Sequence, residues 1–149
     1  MLKKKFLCCF LALLILLLCG CSNNSQRKDK LSNTIWIAES DKLQGIEFTG
    51  DGNYRFWGIH DYGDGTGGFF PDSLDKYDLH RDTITFYNMK FYVDEKLIND
   101  AEFRVEFKRD TMTIYSKYDD QTAKFIKIDT TIYEYAQTIG LNVPKQGGA

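Results

Sequence analysis

The sequence predicts an all-β fold, an antiparallel meander that closes into a small barrel or sandwich of about eight to nine strands. Three observations predict it. Short runs of β-branched and aromatic residues recur through most of the 149-residue chain. Turn residues separate these runs at short intervals, and no stretch makes a convincing amphipathic helix.

Taken in order, the runs are Thr34 to Glu39, Gln44 to Thr49, Asn53 to Ile59, Lys76 to His80, Thr83 to Asn88, Lys90 to Leu97, Glu102 to Lys108, Thr111 to Lys117 and Ala123 to Asp129. Phe103-Arg104-Val105-Glu106-Phe107-Lys108 alternates most clearly between apolar and charged residues. A period of two buries one face and leaves the other wet. Between Ile46-Glu47-Phe48 and Tyr54-Arg55-Phe56, the stretch Thr49-Gly50-Asp51-Gly52-Asn53 supplies residues that tolerate positive φ, so these strands form a tight hairpin.

His80-Arg81-Asp82-Thr83-Ile84-Thr85-Phe86-Tyr87 is echoed by Lys108-Arg109-Asp110-Thr111-Met112-Thr113-Ile114-Tyr115, 28 positions later. One echo falls short of the roughly three repeats that a solenoid needs, so it reads as two hairpins sharing one turn chemistry. Thr131 to Thr138 is either a last strand or a helical turn.

The chain opens on Met1-Leu2-Lys3-Lys4-Lys5, and every one of the 13 residues from Phe6 to Leu18 is apolar. A basic start, an apolar stretch and a small-residue end make a secretory signal peptide over residues 1–20. As a helix the stretch covers only about 20 Å of a hydrocarbon core about 30 Å thick, too short for a comfortable span. Residues 21–33 are polar, with almost nothing to bury, and read as a flexible tether. The β domain is then expected over 34–140, with a loose tail over 141–149.

All four cysteines, Cys8, Cys9, Cys19 and Cys21, lie in or directly after the leader. A domain that begins at Cys21 has no second thiol, which excludes a disulfide framework, a cysteine zinc site and a redox pair. Removing Lys3, Lys4 and Lys5 takes the formal charge from −2 to −5. A mildly acidic domain is a poor holder of a phosphate backbone, so no nucleic acid is expected as a partner. No metal and no cofactor is expected either.

Leu18-Cys19-Gly20-Cys21 resembles the lipobox of bacterial lipoproteins. The resemblance implies cleavage before Cys21, a diacylglyceryl group on its thiol and acylation of the new amino terminus. Two or more chains, at about 0.8 kcal/mol per buried methylene, make a stable anchor. It places the protein in the cell envelope, held to a membrane through lipid on Cys21. Ser22 after the modified cysteine resembles the pattern that permits export to an outer membrane, and the tether lacks the acidic run that marks surface display in some envelopes, so the resemblance implies a periplasm-facing position.

From Leu31 to Ile128 the order of features resembles the small lipocalin-like lipoproteins of bacteria, within the calycin group. The matching pieces are Trp36, the hairpin from Ile46 to Tyr54, the pair Tyr77-Asp78-Leu79 with Thr83-Ile84-Thr85-Phe86, and Lys124-Phe125-Ile126-Lys127-Ile128. The family's Gly-x-Trp is Thr34-Ile35-Trp36 here, so only the tryptophan carries over. The resemblance implies a barrel whose Trp36 packs across one end against a basic residue of the last strand, Lys124 or Lys127. Its mouth would take a small apolar ligand unless the many aromatic side chains fill the interior.

Candidate site residues follow from this reading. His60 to Ser73 is the longest irregular stretch, with Gly63, Gly65, Gly67 and Gly68 among Asp61, Asp64, Asp72, Phe69 and Phe70. Long loops on rigid scaffolds carry function. Asp61 and Asp64 sit at short spacing but do not follow a calcium-loop pattern. The expected ligand-binding residues are Trp57, Phe69, Phe70 and Tyr115, with no catalytic residue.

Three functions are therefore in play. The first is a non-catalytic envelope module whose barrel mouth takes a small hydrophobic ligand, which requires an open interior of at least several hundred cubic ångströms with apolar walls and fails if the interior is filled. The second is a structural or inhibitory lipoprotein that contacts another envelope protein through an exposed aromatic patch. The third is a hydrolase, which requires His60 within hydrogen-bond reach of a nucleophile such as Ser73 and of an orienting acid.

Overall fold

The computed structural model describes residues 30–145. The signal peptide, Cys21 and most of the expected tether lie outside the described residues. Eleven strands form: β1 (Thr34–Ala38), β2 (Gln44–Phe48), β3 (Asn53–Asp61), β4 (Gly67–Pro71), β5 (Asp75–His80), β6 (Thr83–Phe86), β7 (Phe91–Val93), β8 (Lys96–Ile98), β9 (Ala101–Lys108), β10 (Thr111–Ser116) and β11 (Thr122–Ile128). One helix follows, α1 (Ile132–Thr138).

The sheet is an antiparallel barrel of eight strands, β1, β2, β3, β5, β6, β9, β10 and β11, closed by pairing of β1 with β11 and of β2 with β3. This is the all-β barrel expected from the strand pattern. β3 is long enough to take two partners on one edge: Asn53 and Tyr54 pair with β5, while Trp57 to Asp61 pair with β4 beyond the barrel's end.

Alternation puts the apolar residues inward and packs them to closure. Phe48, Ile46, Ile84, Phe86, Val105 and Met112 are each at most 2% exposed. Phe86 contacts Phe48, Tyr54, Phe56 and Phe103 at centroid distances of 4.6 to 6.2 Å. Each such side chain contributes about 1.5–3 kcal/mol by leaving water. Among the described residues the interior is a packed core of bulky aromatic and aliphatic side chains.

The barrel has a closed end, where the chain enters. Leu31, assigned from sequence to the tether, is fully buried there as a plug. The Thr34 hydroxyl donates to the Leu31 carbonyl, and Trp36 Nε1 donates to Thr34 Oγ1 at 2.7 Å. Lys30 Nζ sits 5.6 Å above the Phe107 ring. Trp36 packs against Phe107 at 6.1 Å, and Lys127 lies directly across from it in register, with its ammonium 3.2 Å from Asp129. The domain thus begins before residue 34.

A second core lies outside the barrel. Ile37, Trp57, Ile59 and Phe69 form an apolar stripe across β1, β3 and β4, which α1 and the chain after it cover with Ile132, Ala136, Leu141 and Val143. α1 starts because Thr131 and Glu134 cap each other, the Thr131 Oγ1 accepting from Glu134 N–H and the Glu134 carboxylate from Thr131 N–H. It ends before Gly140, whose φ of 85° suits the residue after a helix. Residues 141–143, expected in a loose tail, are instead held in place: Leu141 and Val143 are each 6% exposed and Asn142 bridges to Thr66.

Candidate functional site

The open end, opposite Leu31, carries the irregular features. There the β3–β4 hairpin rises past the barrel and the β7–β8 hairpin folds between β6 and β9. Half of the expected loop from His60 to Ser73 is therefore paired strand, at His60–Asp61 and Gly67–Pro71. Its turn carboxylates are spent on the loop itself: Asp61 accepts from Gly63 N–H at 2.8 Å and Asp64 from Thr66 N–H at 2.9 Å. Among the described residues no group of three potential metal ligands comes together.

Three clefts open at this end. One of about 250 Å³ is lined by Met89, Phe91, Phe103 and Ile114. One of about 480 Å³ is lined by Tyr54, Phe56, Asp72, Asp75, Asn88 and Lys90. Within it Asn88 Nδ2 donates to Asp75 at 2.8 Å. The Tyr54 hydroxyl donates to the Tyr87 carbonyl, and its ionisation is pushed up to about 12 by burial first, then by Asp75, Asp72 and Asp100.

The third cleft, of about 390 Å³, lies between the 41–44 connection and the β3–β4 hairpin, lined by Asp41, Gln44, Phe56, Trp57, His60, Phe70 and Asp72. It falls within the usual size range of small-ligand sites, about 300–1,000 Å³. Two features set it apart. The Trp57 ring is 3% exposed, yet its Nε1 is a buried donor with no partner among the described residues. Phe70 stands 58% exposed on the rim, edge-on to His60 at 6.5 Å, and His60 in turn meets Tyr62 at 5.1 Å.

Local sequence explains how this site is built. Gly45 lies opposite Trp57 in register, and a methyl group there would sit 2.4 Å from Trp57 Cζ2 and 2.1 Å from the Trp36 carbonyl oxygen. The glycine makes room for the indole. Gly68 does the same for the rim, where a methyl group would meet the Tyr62 hydroxyl at 2.5 Å and Phe70 Cε2 at 2.8 Å.

Of the four residues expected to bind ligand, the structure brings Trp57 and Phe70 into one cleft. Phe69 is buried on the outer stripe, 6.3 Å from Trp57 and edge-on to Tyr133 at 5.7 Å, where it backs Trp57 without reaching the cleft. Tyr115 is elsewhere, on the outer wall of β10 under the Arg104 guanidinium, with its hydroxyl 2.9 Å from Glu106. Its position follows from alternation: Met112 and Ile114 face inward, so Tyr115 faces out. Asp72, from the His60 to Ser73 stretch, completes the cleft with Asp41 and Gln44, which carried no signal in sequence.

His60 makes ring contacts with Tyr62 and Phe70 and, among the described residues, no hydrogen bond to Ser73 or to an acid. Ser73 Oγ instead leans toward Asp75 at 3.4 Å. Comparison with known proteins finds no matching protein family, no matching curated protein and no matching solved structure.

Proposed function

We propose that this chain is a non-catalytic binding protein of the bacterial cell envelope, anchored by acyl chains on Cys21. On this reading it faces the periplasm and takes one small, largely apolar ligand in the open-end cleft of Trp57 and Phe70. The observation that carries the reading is the unpaired Trp57 Nε1 beside an open, partly apolar cleft. A buried donor left unmade costs about 1–3 kcal/mol; Nε1 is closed off from solvent, so a ligand's carbonyl, ester or ether oxygen reaches it only as the cleft wall shifts. The packed interior counts against the open chamber first required, so the reading now rests on the rim cleft alone.

Native mass spectrometry of the full acylated protein, recovered from bacterial membranes, tests this. A co-purifying mass bound by wild type and lost from F70A supports it. Equal binding by F70A, or no bound mass at all, counts against it.

A second reading rests on a separate observation. Tyr62, Phe70, Tyr92 and Leu97 are all exposed, between 46% and 73%, and all sit on hairpins of the open end. Such a rim suits contact with another envelope protein. Crosslinking from Tyr92 in intact cells separates it from the first, since Tyr92 does not line the Trp57 cleft.

A further inference from the structure

The barrel's arginines fall into two pairs. Those on the wall are matched by carboxylates, Arg55 with Glu47 at 2.6 Å and Arg104 with Glu106. Arg81 and Arg109, in the β5–β6 and β9–β10 turns, form no ion pair among the described residues, although Asp82 and Asp110 directly follow them.

Their backbone is unusual as well. Arg81 has φ 59° and Arg109 φ 53°, in the left-handed region where glycine or asparagine sits at lower cost. Both turns are pinned: Val105 N–H donates to the Asp82 carbonyl and Lys127 N–H to the Asp110 carbonyl, each at 2.7 Å. The echo His80-Arg81-Asp82-Thr83 and Lys108-Arg109-Asp110-Thr111 thus builds one device twice, an exposed guanidinium on a fixed, costly turn. Short hairpin turns draw on this region, which Asn33, Asn88, Asp94, Glu95 and Asp100 also adopt, so the turn geometry fixes where each guanidinium stands.

Both turns lie at the closed end, where the chain enters. Lys30 rests over Phe107 at the foot of β9, and a methyl group at Gly50 in the β2–β3 turn would lie 2.7 Å from Asn33 Oδ1. From Lys30 to Cys21 there are nine residue steps, which reach at most about 30 Å. Arg27 and Lys28 lie between them. Whatever membrane holds Cys21 therefore has its headgroups within reach of the closed end, while the Trp57 cleft opens at the opposite end.

We infer that the closed end is a membrane-docking face, on which Arg81 and Arg109 bind the phosphates of anionic lipid headgroups and stand the barrel with its cleft away from the bilayer. The inference rests on the Cys21 anchor proposed above. A guanidinium presents paired donors to phosphate, and it reaches further from the turn than the aspartate beside it.

The test uses the full acylated protein in vesicles of phosphatidylcholine with and without phosphatidylglycerol, with hydrogen exchange measured across the chain. Intact mass first reports acylation: a chain without acyl groups on Cys21 overturns the anchor reading and this inference with it. With the acyl groups present, slowed exchange at residues 80–83 and 108–111 only when phosphatidylglycerol is present supports docking. R81N/R109N removes the charge while easing the turns. It should keep or raise thermal stability and lose the protection, weakening the docked state about twenty-five-fold, at about fivefold per arginine. Protection that is absent, unchanged in R81N/R109N, or reproduced by inorganic phosphate over phosphatidylcholine overturns it.

Discussion

The Trp57 indole lies against Gly45, so that a methyl group on Gly45 would sit 2.4 Å from Trp57 Cζ2. This contact joins the outer stripe to the open-end cleft, since Trp57 belongs to both.

Gly45→Ala should therefore act on fold and site together. The second clash, 2.1 Å from the Trp36 carbonyl oxygen, is with backbone and cannot be relieved by a rotamer change. Overpacking of this kind costs about 1–3 kcal/mol. An unfolding free energy lowered by that amount in a denaturant titration, with a changed Trp57 fluorescence maximum, is the expected result.

Leu31 plugs the closed end and is fully buried. Leu31→Ala should cost about 2–5 kcal/mol, the range for large-to-alanine changes in a core. Residues ahead of a folded domain tolerate such a change without effect, so urea unfolding of L31A distinguishes plug from tether.

Tyr54 sets an alkaline limit. Its phenol is neutral in the fold, with its ionisation raised from 10.0 to about 12. A folded value raised above the unfolded one gives stability that is full below pH 10 and lost as pH rises toward 12. Thermal melts of Y54F across this window should fall less steeply than those of wild type, at the cost of the hydroxyl's bond to the Tyr87 carbonyl.

The barrel was legible in sequence because its strands alternate cleanly against turn residues, as in Phe103 to Lys108. β4 was not, since Gly67-Gly68 lowers strand propensity and the segment pairs only with the far half of β3. Lys90 to Leu97 read as one strand, but Asp94 and Glu95 adopt φ of 46° and 65° and turn it into the β7–β8 hairpin. The helix announced itself through Thr131-x-x-Glu134, a capping signal that the choice between strand and helical turn passed over.

The site was half legible. Trp57 and Phe70 stood out as aromatics near a long connection, whereas Asp41, Gln44 and Asp72 reach the cleft only through the closure of β2 on β3 and the rise of β4. Tyr115 was misplaced for want of register: its strand position puts it opposite Arg104, on the outer wall.

The chain contains two tryptophans, Trp36 inside the barrel and Trp57 at the cleft, so their indole N–H signals in a ¹H–¹⁵N spectrum report the two places separately. Adding the small molecule identified by native mass spectrometry should shift and sharpen the Trp57 signal and leave that of Trp36, already bonded to Thr34, in place. A shift at Trp36 with Trp57 unmoved would contradict the account, because it would put the ligand inside a barrel that the structure fills with side chains.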